Sequence, residues 1–395
     1  MISFSIHAQD KNILYGIDHL QDENIIRLLT GKNLAVLTHA AGVNHQGVHL
    51  IDILFKNFSL KKIFAPEHGL RTLEDDWIDD GVDVATGLPV ISLYKSKTKS
   101  PDPKDLEGID AIVIDLQDVG LRYYTYFSTI AEVMKVCAKL QIEVILLDRP
   151  NLLGGNILEG KTLDVHLAGN FTAYHTIPTR HGMTLGELSY MINGEKSMGV
   201  KLSVIKTFGW HREELITNHH RRWISPSPAL ISIEQVALYA LWGTLENFNL
   251  AVGRGKTNEL AFHIIGAPWI SETESHELSK ALNSLYLEGI YFEPFSWKVS
   301  RAIYLGEIAR GVKIHISHKY CITKIRTDEL TYKVATILLK MFKGRIHFSK
   351  TSPLAYGSES MVSAITYGIP WKETQKTIDS ELEEFKRRRK TYLLY

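Results

Sequence analysis

The sequence predicts an α/β protein in which a Rossmann-like, mostly parallel sheet is followed by a smaller α+β domain. Short apolar runs, such as residues 111–116, alternate with helical patterns through residues 14–150. Strands that are apolar on both faces are typical of a parallel sheet covered by helices. After Trp269 the alternation gives way to longer helices with few strands. We therefore divide the chain into two predicted domains, residues 1–267 and residues 268–395.

The individual elements follow from the spacing of apolar residues. The predicted strands of the first domain are short β-rich runs at residues 34–38, 60–64, 89–94, 111–116, 143–148 and 202–205. Its predicted helices have apolar residues at helical spacing, at residues 49–56, 127–140 and 232–245. Thr184 and Glu187 have the spacing of a capping box, which predicts a further helix start. The second domain is predicted to contain strands at residues 290–293 and 312–316 and helices at residues 274–285 and 328–342.

Charge and composition restrict the partners of the chain. Its 45 Lys+Arg and 44 Asp+Glu residues give a formal net charge of +1, which does not favour a nucleic-acid partner. Cys137 and Cys321 are too few for a disulfide framework or a four-cysteine zinc site. No apolar run is long enough to span a membrane, and no signal peptide is visible. We expect a cytoplasmic protein, or an exported one if a leader was removed, with no metal or cofactor. The sequence does not predict the oligomeric state.

The strongest functional signal is an ionisable pair at the end of a predicted strand. Pro66 cannot donate to a sheet ladder, so the strand should end just before Glu67 and His68, and Gly69 allows a tight bend. Ligands of open α/β sheets bind at the carboxyl ends of the strands. A carboxylic acid placed there can protonate a leaving group. Glu67 is therefore the candidate proton donor, with His68 beside it.

Polar clusters follow two further predicted strands. The candidate side chains are Asp118, Arg122, Tyr124 and Tyr126 after one strand, and Asp148, Arg149 and Asn151 after the next. Each cluster alone fits a salt-bridged loop, but three such strand ends favour one polar cleft. Aromatic faces can pack on a pyranose ring and an arginine can hold a carboxylate, although core packing of the tyrosines is an equal alternative. His181 is either a hydrogen-bonded loop residue or an anion ligand.

Two other motifs do not support nucleotide or metal binding. Gly255, Lys256 and Thr257 resemble the end of a phosphate-binding loop, but the first glycine of that motif would fall at Leu250. Arg254 is better interpreted as a cation in a loop that approaches the site closely. The histidine-rich residues 219–222 include two arginines and make a poor cation site.

Taken together, these motifs resemble the NamZ family over nearly the whole chain. The residues that carry the resemblance are Pro66, Glu67, His68 and Gly69; Ser92, Leu93 and Tyr94; Asp115, Asp118, Gly120, Arg122, Tyr124 and Tyr126; Asp148, Arg149, Pro150 and Asn151; Arg180, His181 and Gly182; Ser225, Pro226, Ser227 and Pro228; and Gly253, Arg254 and Gly255. The resemblance implies a Rossmann-like domain and a smaller C-terminal domain with a cleft between them. It also implies an exo-acting β-N-acetylmuramidase that releases N-acetylmuramic acid from the non-reducing ends of peptidoglycan fragments.

The resemblance implies roles for individual residues. Glu67 corresponds to the family's proposed catalytic acid, and the strand-end residues and His181 are then sugar ligands. Glu246 matches one family glutamate, whereas Val252 stands where the family has another. A second carboxylate such as Asp118 would either activate water or orient the substrate's acetamido group. The lactyl carboxylate of muramic acid would be bound by one of three candidate arginines, Arg122, Arg149 or Arg254.

Two alternatives remain at this stage. Val252 is consistent with a relative that binds muramic acid sugars without cleaving them. A different enzyme class on the same scaffold is the other alternative, and the absence of a phosphate-binding loop and of a Gly-x-Ser-x-Gly nucleophile elbow counts against it.

Overall fold

The computed structural model describes residues 13–67, 69–70, 79–94, 99–215, 221–255, 257–301, 303–317 and 325–395. Within these ranges, no helix has both the length and the apolar composition that a membrane span requires.

A seven-stranded sheet forms the centre of the first part of the chain. Its strands are β1 (Asn33–Thr38), β2 (Ser59–Ala65), β3 (Gly81–Val82), β4 (Pro89–Ser92), β5 (Ala111–Asp115), β6 (Glu143–Leu147) and β7 (Leu202–Ile205). They are arranged in the order β3-β4-β2-β1-β5-β6-β7. Only β3 runs antiparallel to its neighbour; every other pair is parallel. The strand order reverses between β1 and β5, which is where ligand crevices open in such sheets.

Helices cover both faces of this sheet. They are α1 (Glu23–Leu29), α2 (Leu50–Asn57), α3 (Tyr126–Leu140), α4 (Leu185–Glu195) and α5 (Ile233–Trp242). All five residues of β5 are buried. Val113 packs in the cluster that contains Leu54 of α2, whereas Ile112 and Ile114 pack with Met134 of α3. The residues of β5 are apolar on both faces because a helix packs against each face. The predicted α/β class is confirmed.

A second, antiparallel sheet follows. It contains β8 (Ile264–Ala267), β9 (Ile290–Lys298) and β10 (Ile308–Ile316), in the order β8-β10-β9. The remaining helices are α6 (Glu272–Asn283), α7 (Thr327–Met341), α8 (Ser352–Tyr356), α9 (Glu359–Tyr367) and α10 (Trp371–Arg389). The sequence did not predict β8, and this strand belongs to the second sheet although it precedes the predicted boundary after residue 267.

The C-terminal segment returns to the first sheet. Arg389, at the end of α10, donates hydrogen bonds to the carbonyl oxygens of His181 and Gly182. The Tyr395 hydroxyl donates to Asp148 Oδ2 over 2.8 Å, directly after β6. The last residues of the chain therefore support the carboxyl edge of the first sheet from behind.

Candidate active site

A cavity of about 260 Å³ lies at the carboxyl edge of the first sheet. Five residues singled out from the sequence line it: Glu67, Tyr124, Tyr126, Glu246 and Arg254. The other lining residues are Tyr94, Tyr123, Thr125, Thr172, Ser227, Ala229, Leu230, Tyr239 and Phe262. The cavity thus combines two carboxylates, one guanidinium group and several aromatic rings.

Glu67 lies in the turn that follows β2. The strand ends at Ala65, and Pro66 follows it, as the sequence predicted. Thr125 Oγ1, at the start of α3, donates a 2.7 Å hydrogen bond to Glu67 Oε2. The Tyr94 hydroxyl also bonds to Glu67, and the pKa of Tyr94 is raised, chiefly by burial and further by the nearby Glu67 charge. Two hydroxyl groups therefore hold the carboxylate at the cavity. His68 lies outside the described residues.

Glu246 and Arg254 face the same cavity from the segment that follows α5. Glu246 lies in a 3₁₀ turn at Gly243–Asn247, and its Oε1 is 3.3 Å from Arg254 Nη1. Both side chains are about one-third exposed, so they are accessible to a ligand. Val252, two residues before Arg254, instead turns its side chain into the hydrophobic core. The position at which the family resemblance led us to look for a second glutamate therefore does not line the cavity.

The loop that carries Arg254 has an unusual backbone. Gly253 has φ +75°, and a Cβ atom there would meet Leu260 O at 2.0 Å. Phe262, which lines the cavity, has φ +61°, a region that aromatic residues rarely adopt. The Val252 carbonyl accepts from Phe262 N at 2.9 Å, and the Gly255 amide donates to Asn258 Oδ1 at 2.9 Å. A residue in such a strained conformation persists only where the surrounding structure holds it in place. Residues of this kind cluster at ligand sites.

Aromatic rings form the remaining walls. Tyr123 and Tyr239 meet edge to face, with ring centroids 5.1 Å apart, and Tyr124 and Tyr126 do so at 4.9 Å. The Tyr126 hydroxyl donates to the Pro226 carbonyl over 2.6 Å. Burial raises the pKa of each of these four tyrosines, so they remain neutral O–H groups. Rigid rings beside charged groups suit a ligand with both apolar and hydroxylated surfaces, such as a sugar.

Asp118 and His181 lie behind this wall and do not line the cavity. Asp118 is only 8% exposed, and its Oδ1 accepts from the Gly120 amide over 2.6 Å. His181 Nε2 is 3.9 Å from the same oxygen, while His181 Nδ1 accepts from the Met183 amide. Burial raises the pKa of Asp118 to about 7 and, with the charges of Arg389 and Arg122, lowers the pKa of His181 to about 3. The imidazole is therefore neutral.

Two predicted arginine ligands are engaged elsewhere. The Arg122 guanidinium donates to the carbonyl oxygens of Lys161, Ile177 and Ala355, which ties the two halves of the chain together. Arg149 forms a two-pronged ion pair with Asp115. Arg149 lines a different cavity, of about 510 Å³, and not the one that contains Glu67. A buried guanidinium needs partners for its N–H groups, and neighbouring protein oxygens provide them here.

The two remaining strand-end predictions also have structural partners. Asp148 accepts hydrogen bonds from the Thr184 hydroxyl at 2.7 Å and the Gly186 amide at 2.9 Å, besides that from Tyr395. Asn151 donates to the Met183 carbonyl and accepts from the Leu153 amide. These side chains, like those of Arg122 and Arg149, thus form hydrogen bonds within the protein near the carboxyl edge of the first sheet and do not line the Glu67 cavity.

Several cavity residues were not predicted as site residues. Tyr94, Thr125 and Ser227 lie within or next to motifs of the family resemblance, so their sequence position was a usable signal. Tyr239 had no such signal, because its helix has a strongly apolar pattern. Phe262 is recognisable only from its backbone.

Among the described residues, no cluster of three or more metal-ligand side chains lies at this cavity. Asp164, His166 and Glu359 bring three donor atoms within 4.8 Å of one another, but they lie at the surface. Exposed acidic groups of this kind are common without an ion.

The raised pKa of Asp118 predicts a measurable pH dependence of stability. The folded protein binds this proton more tightly than the unfolded chain does, so stability falls as pH rises from the ordinary carboxyl value near 4 to about 7. Asp118→Asn is uncharged throughout and should not show this loss. Thermal unfolding followed by circular dichroism should give a difference in Tm, variant minus wild type, that increases from pH 4 to pH 8. A constant difference would show that Asp118 does not titrate in this range.

Comparisons with known proteins identify the family of this chain. Residues 34–234 match the family model described as exo-β-N-acetylmuramidase NamZ, N-terminal, and residues 237–395 match its C-terminal counterpart. The peptidoglycan β-N-acetylmuramidase NamZ of Bacillus subtilis (strain 168) is 33% identical over 394 residues, which cover 98% of this chain and 92% of the relative.

Solved structures show the same relationship. A crystal structure of a DUF1343 family protein from Bacteroides fragilis NCTC 9343 superimposes with a TM-score of 0.86 at 31% identity, covering 98% of this chain and all of the other. A second DUF1343 family protein from that organism gives a TM-score of 0.78 at 27% identity, covering 97% and 99%. With two family models spanning most of the chain and a relative that matches nearly its full length, this protein belongs to the NamZ family of exo-β-N-acetylmuramidases.

Proposed function

We propose that this chain hydrolyses the terminal β-N-acetylmuramoyl bond of peptidoglycan fragments in the cavity that contains Glu67, with Glu67 as the proton donor. The family is one of glycosidases, and the chain accordingly is an enzyme that releases N-acetylmuramic acid from such fragments. We assign the site to this cavity because two carboxylates, of Glu67 and Glu246, and the guanidinium group of Arg254 line it together with aromatic rings. We place the reaction in peptidoglycan turnover.

Glu67 is positioned to act on a leaving group. It lies at the end of a central strand, and the hydroxyl groups of Thr125 and Tyr94 fix its orientation. A fixed carboxylic acid next to a glycosidic oxygen can donate its proton as the bond breaks, which is how one of the two carboxyl groups of most glycosidases works.

Glu246 is the better candidate for the second carboxylate. It lines the same cavity as Glu67, whereas Asp118 is buried behind the tyrosine wall. Glu246 pairs with Arg254, and an ionised carboxylate at this place can activate water or stabilise a positively charged transition state. Asp118 then acts as a positioning residue that holds the turn at Gly120 and so supports the start of α3.

Arg254 is the candidate ligand for the lactyl carboxylate that distinguishes muramic acid from glucosamine. Of the three arginines proposed for this task, it alone lines the Glu67 cavity in the described structure. An arginine can bind a carboxylate through two parallel N–H···O bonds. Its ion pair with Glu246 holds the guanidinium group in place before the substrate arrives.

A binding protein that has lost catalysis is the second candidate function, because Val252 replaces a glutamate that the family resemblance led us to expect. Incubation with a MurNAc–GlcNAc disaccharide separates the two functions. We expect free MurNAc and free GlcNAc in equal amounts, detected by mass spectrometry. An intact disaccharide that nevertheless binds in calorimetry would support the binding protein and would contradict hydrolysis.

The role of Arg254 predicts a change in substrate preference. Hydrogen bonds to charged groups contribute about 1.5–3 kcal/mol, so Arg254→Met should lower kcat/KM for a chromogenic β-N-acetylmuramide by about 10- to 150-fold. The corresponding N-acetylglucosaminide lacks the lactyl group, so its hydrolysis should fall less, only through the loss of the Arg254 partner of Glu246.

Arg222→Met is the matched control for this variant. Arg222 is exposed and lines the other cavity, so its removal should leave both rates unchanged. An equal loss on both substrates in Arg254→Met would mean that Arg254 does not recognise the lactyl carboxylate.

A further inference from the structure

The two faces of β9 differ in character. Side chains alternate between the faces of a strand, and Ile290 and Phe292 are buried on one face. Tyr291, Phe295 and Trp297 project from the opposite face. Tyr291 is 55% exposed, and the other two are partly exposed. Three aromatic residues on the outward face of a small sheet are more than the folding of that sheet requires.

Two of these rings lie nearly parallel to each other. The Phe295 and Trp297 rings have centroids 6.4 Å apart and planes inclined by only 28°. Lys313, on the neighbouring strand β10, places its Nζ 5.5 Å from the Phe295 centroid. We refer to Phe295, Trp297 and Lys313 as the aromatic platform. It offers apolar ring faces next to a positive charge.

The aromatic platform packs against the chain segment that leads to Arg254. Trp297 packs against a small buried cluster of Ala251, Val299 and Ala309. Ala251 lies three residues before Arg254 in the chain and forms backbone hydrogen bonds with Gly266 of β8. Side-chain packing and backbone hydrogen bonds therefore link the platform to the segment that carries Arg254.

A second contact links the end of β9 to the same loop. A Cβ atom on Gly255 would be 2.3 Å from Ser300 Oγ, so the loop that carries Arg254 lies directly against Ser300. Ser300 is three residues after Trp297, which corresponds to at most about 10 Å of extended chain.

We propose that the aromatic platform binds the sugars on the leaving-group side of the scissile bond. The inference rests on the proposed catalytic cavity, whose volume of about 260 Å³ is below the ~300–1,000 Å³ of clefts that enclose larger ligands. One terminal sugar fills such a cavity, so the rest of the glycan must continue outside it. Ring faces of Phe295 and Trp297 pack on pyranose rings, and Lys313 pairs with the lactyl carboxylate of a further muramoyl residue.

Substrate length provides the test. Wild type, Phe295→Ala, Trp297→Phe and the double variant Phe295→Ala with Trp297→Ala are compared on a chromogenic N-acetylmuramide and on a MurNAc–GlcNAc–MurNAc–GlcNAc tetrasaccharide. We expect the double variant to lose about 10-fold in kcat/KM on the tetrasaccharide and less than about twofold on the chromogenic substrate, since each ring contact contributes about 0.5–1.5 kcal/mol.

Trp297→Phe retains most of the packing on Ala251 and guards against a variant that fails to fold. Tyr286→Ala is the matched control, because Tyr286 is a 91% exposed aromatic residue of the same region outside the platform, and it should change neither rate. An unchanged tetrasaccharide rate in the double variant, or equal losses on both substrates, would overturn the proposal.

Failure of the catalytic assignment would give a different result. If the wild type cleaves neither substrate, the Glu67 proposal fails, and calorimetric titration with the tetrasaccharide then decides the role of the platform. Weaker tetrasaccharide binding in the double variant than in Tyr286→Ala would support the platform, and equal binding would refute it.

Discussion

The hydrogen bond between Thr125 and Glu67 is the interaction on which the site depends. It joins the end of β2 to the start of α3, two points separated by 58 residues in the chain. The strand stops because Pro66 lacks an N–H group, and Asp118, which accepts from the Gly120 amide, holds the turn that precedes α3. With both ends fixed, the carboxylate of Glu67 faces Glu246 and Arg254 across one cavity. Loss of either end would leave an acid with no defined position.

Behind the cavity, buried polar groups support the carboxyl edge of the sheet. Asp148 connects β6 to the start of α4 and to the last residue of the chain, and Arg122 connects three separate segments through their carbonyl oxygens. Buried charges of this kind are tolerated only when they are fully paired. Charged residues of the same types therefore occur both in the buried support of the sheet edge and in the site. They differ in whether the side chain is exposed to the cavity.

The sequence was sufficient to predict the fold class, and it predicted that Glu67 directly follows a strand end, where the structure has it. Apolar runs located β1, β2, β5 and β6 to within one or two residues, because strands buried on both faces have a composition unlike that of helices. It was not sufficient for Arg149 or Asn151, because a strand end fixes where a side chain starts but not which partner it meets. The partner of Arg149 is Asp115, and only the register of β5 with β6 brings the two together. Tyr239 was missed for a related reason, since an apolar helical pattern does not show which turn of a helix faces a cavity.

The proposed donation of a proton from Glu67 to the leaving group can be tested directly, because the rate of hydrolysis should then depend on how much the leaving group needs that proton. Glu67→Gln can be assayed on a MurNAc–GlcNAc disaccharide, whose leaving group needs a proton, and on a dinitrophenyl N-acetylmuramide, whose leaving group does not. We expect Glu67→Gln to lose about 10²–10⁴-fold in kcat on the disaccharide and much less on the dinitrophenyl substrate. Equal losses on both substrates, or near-native hydrolysis of the disaccharide, would contradict the role of Glu67 as proton donor.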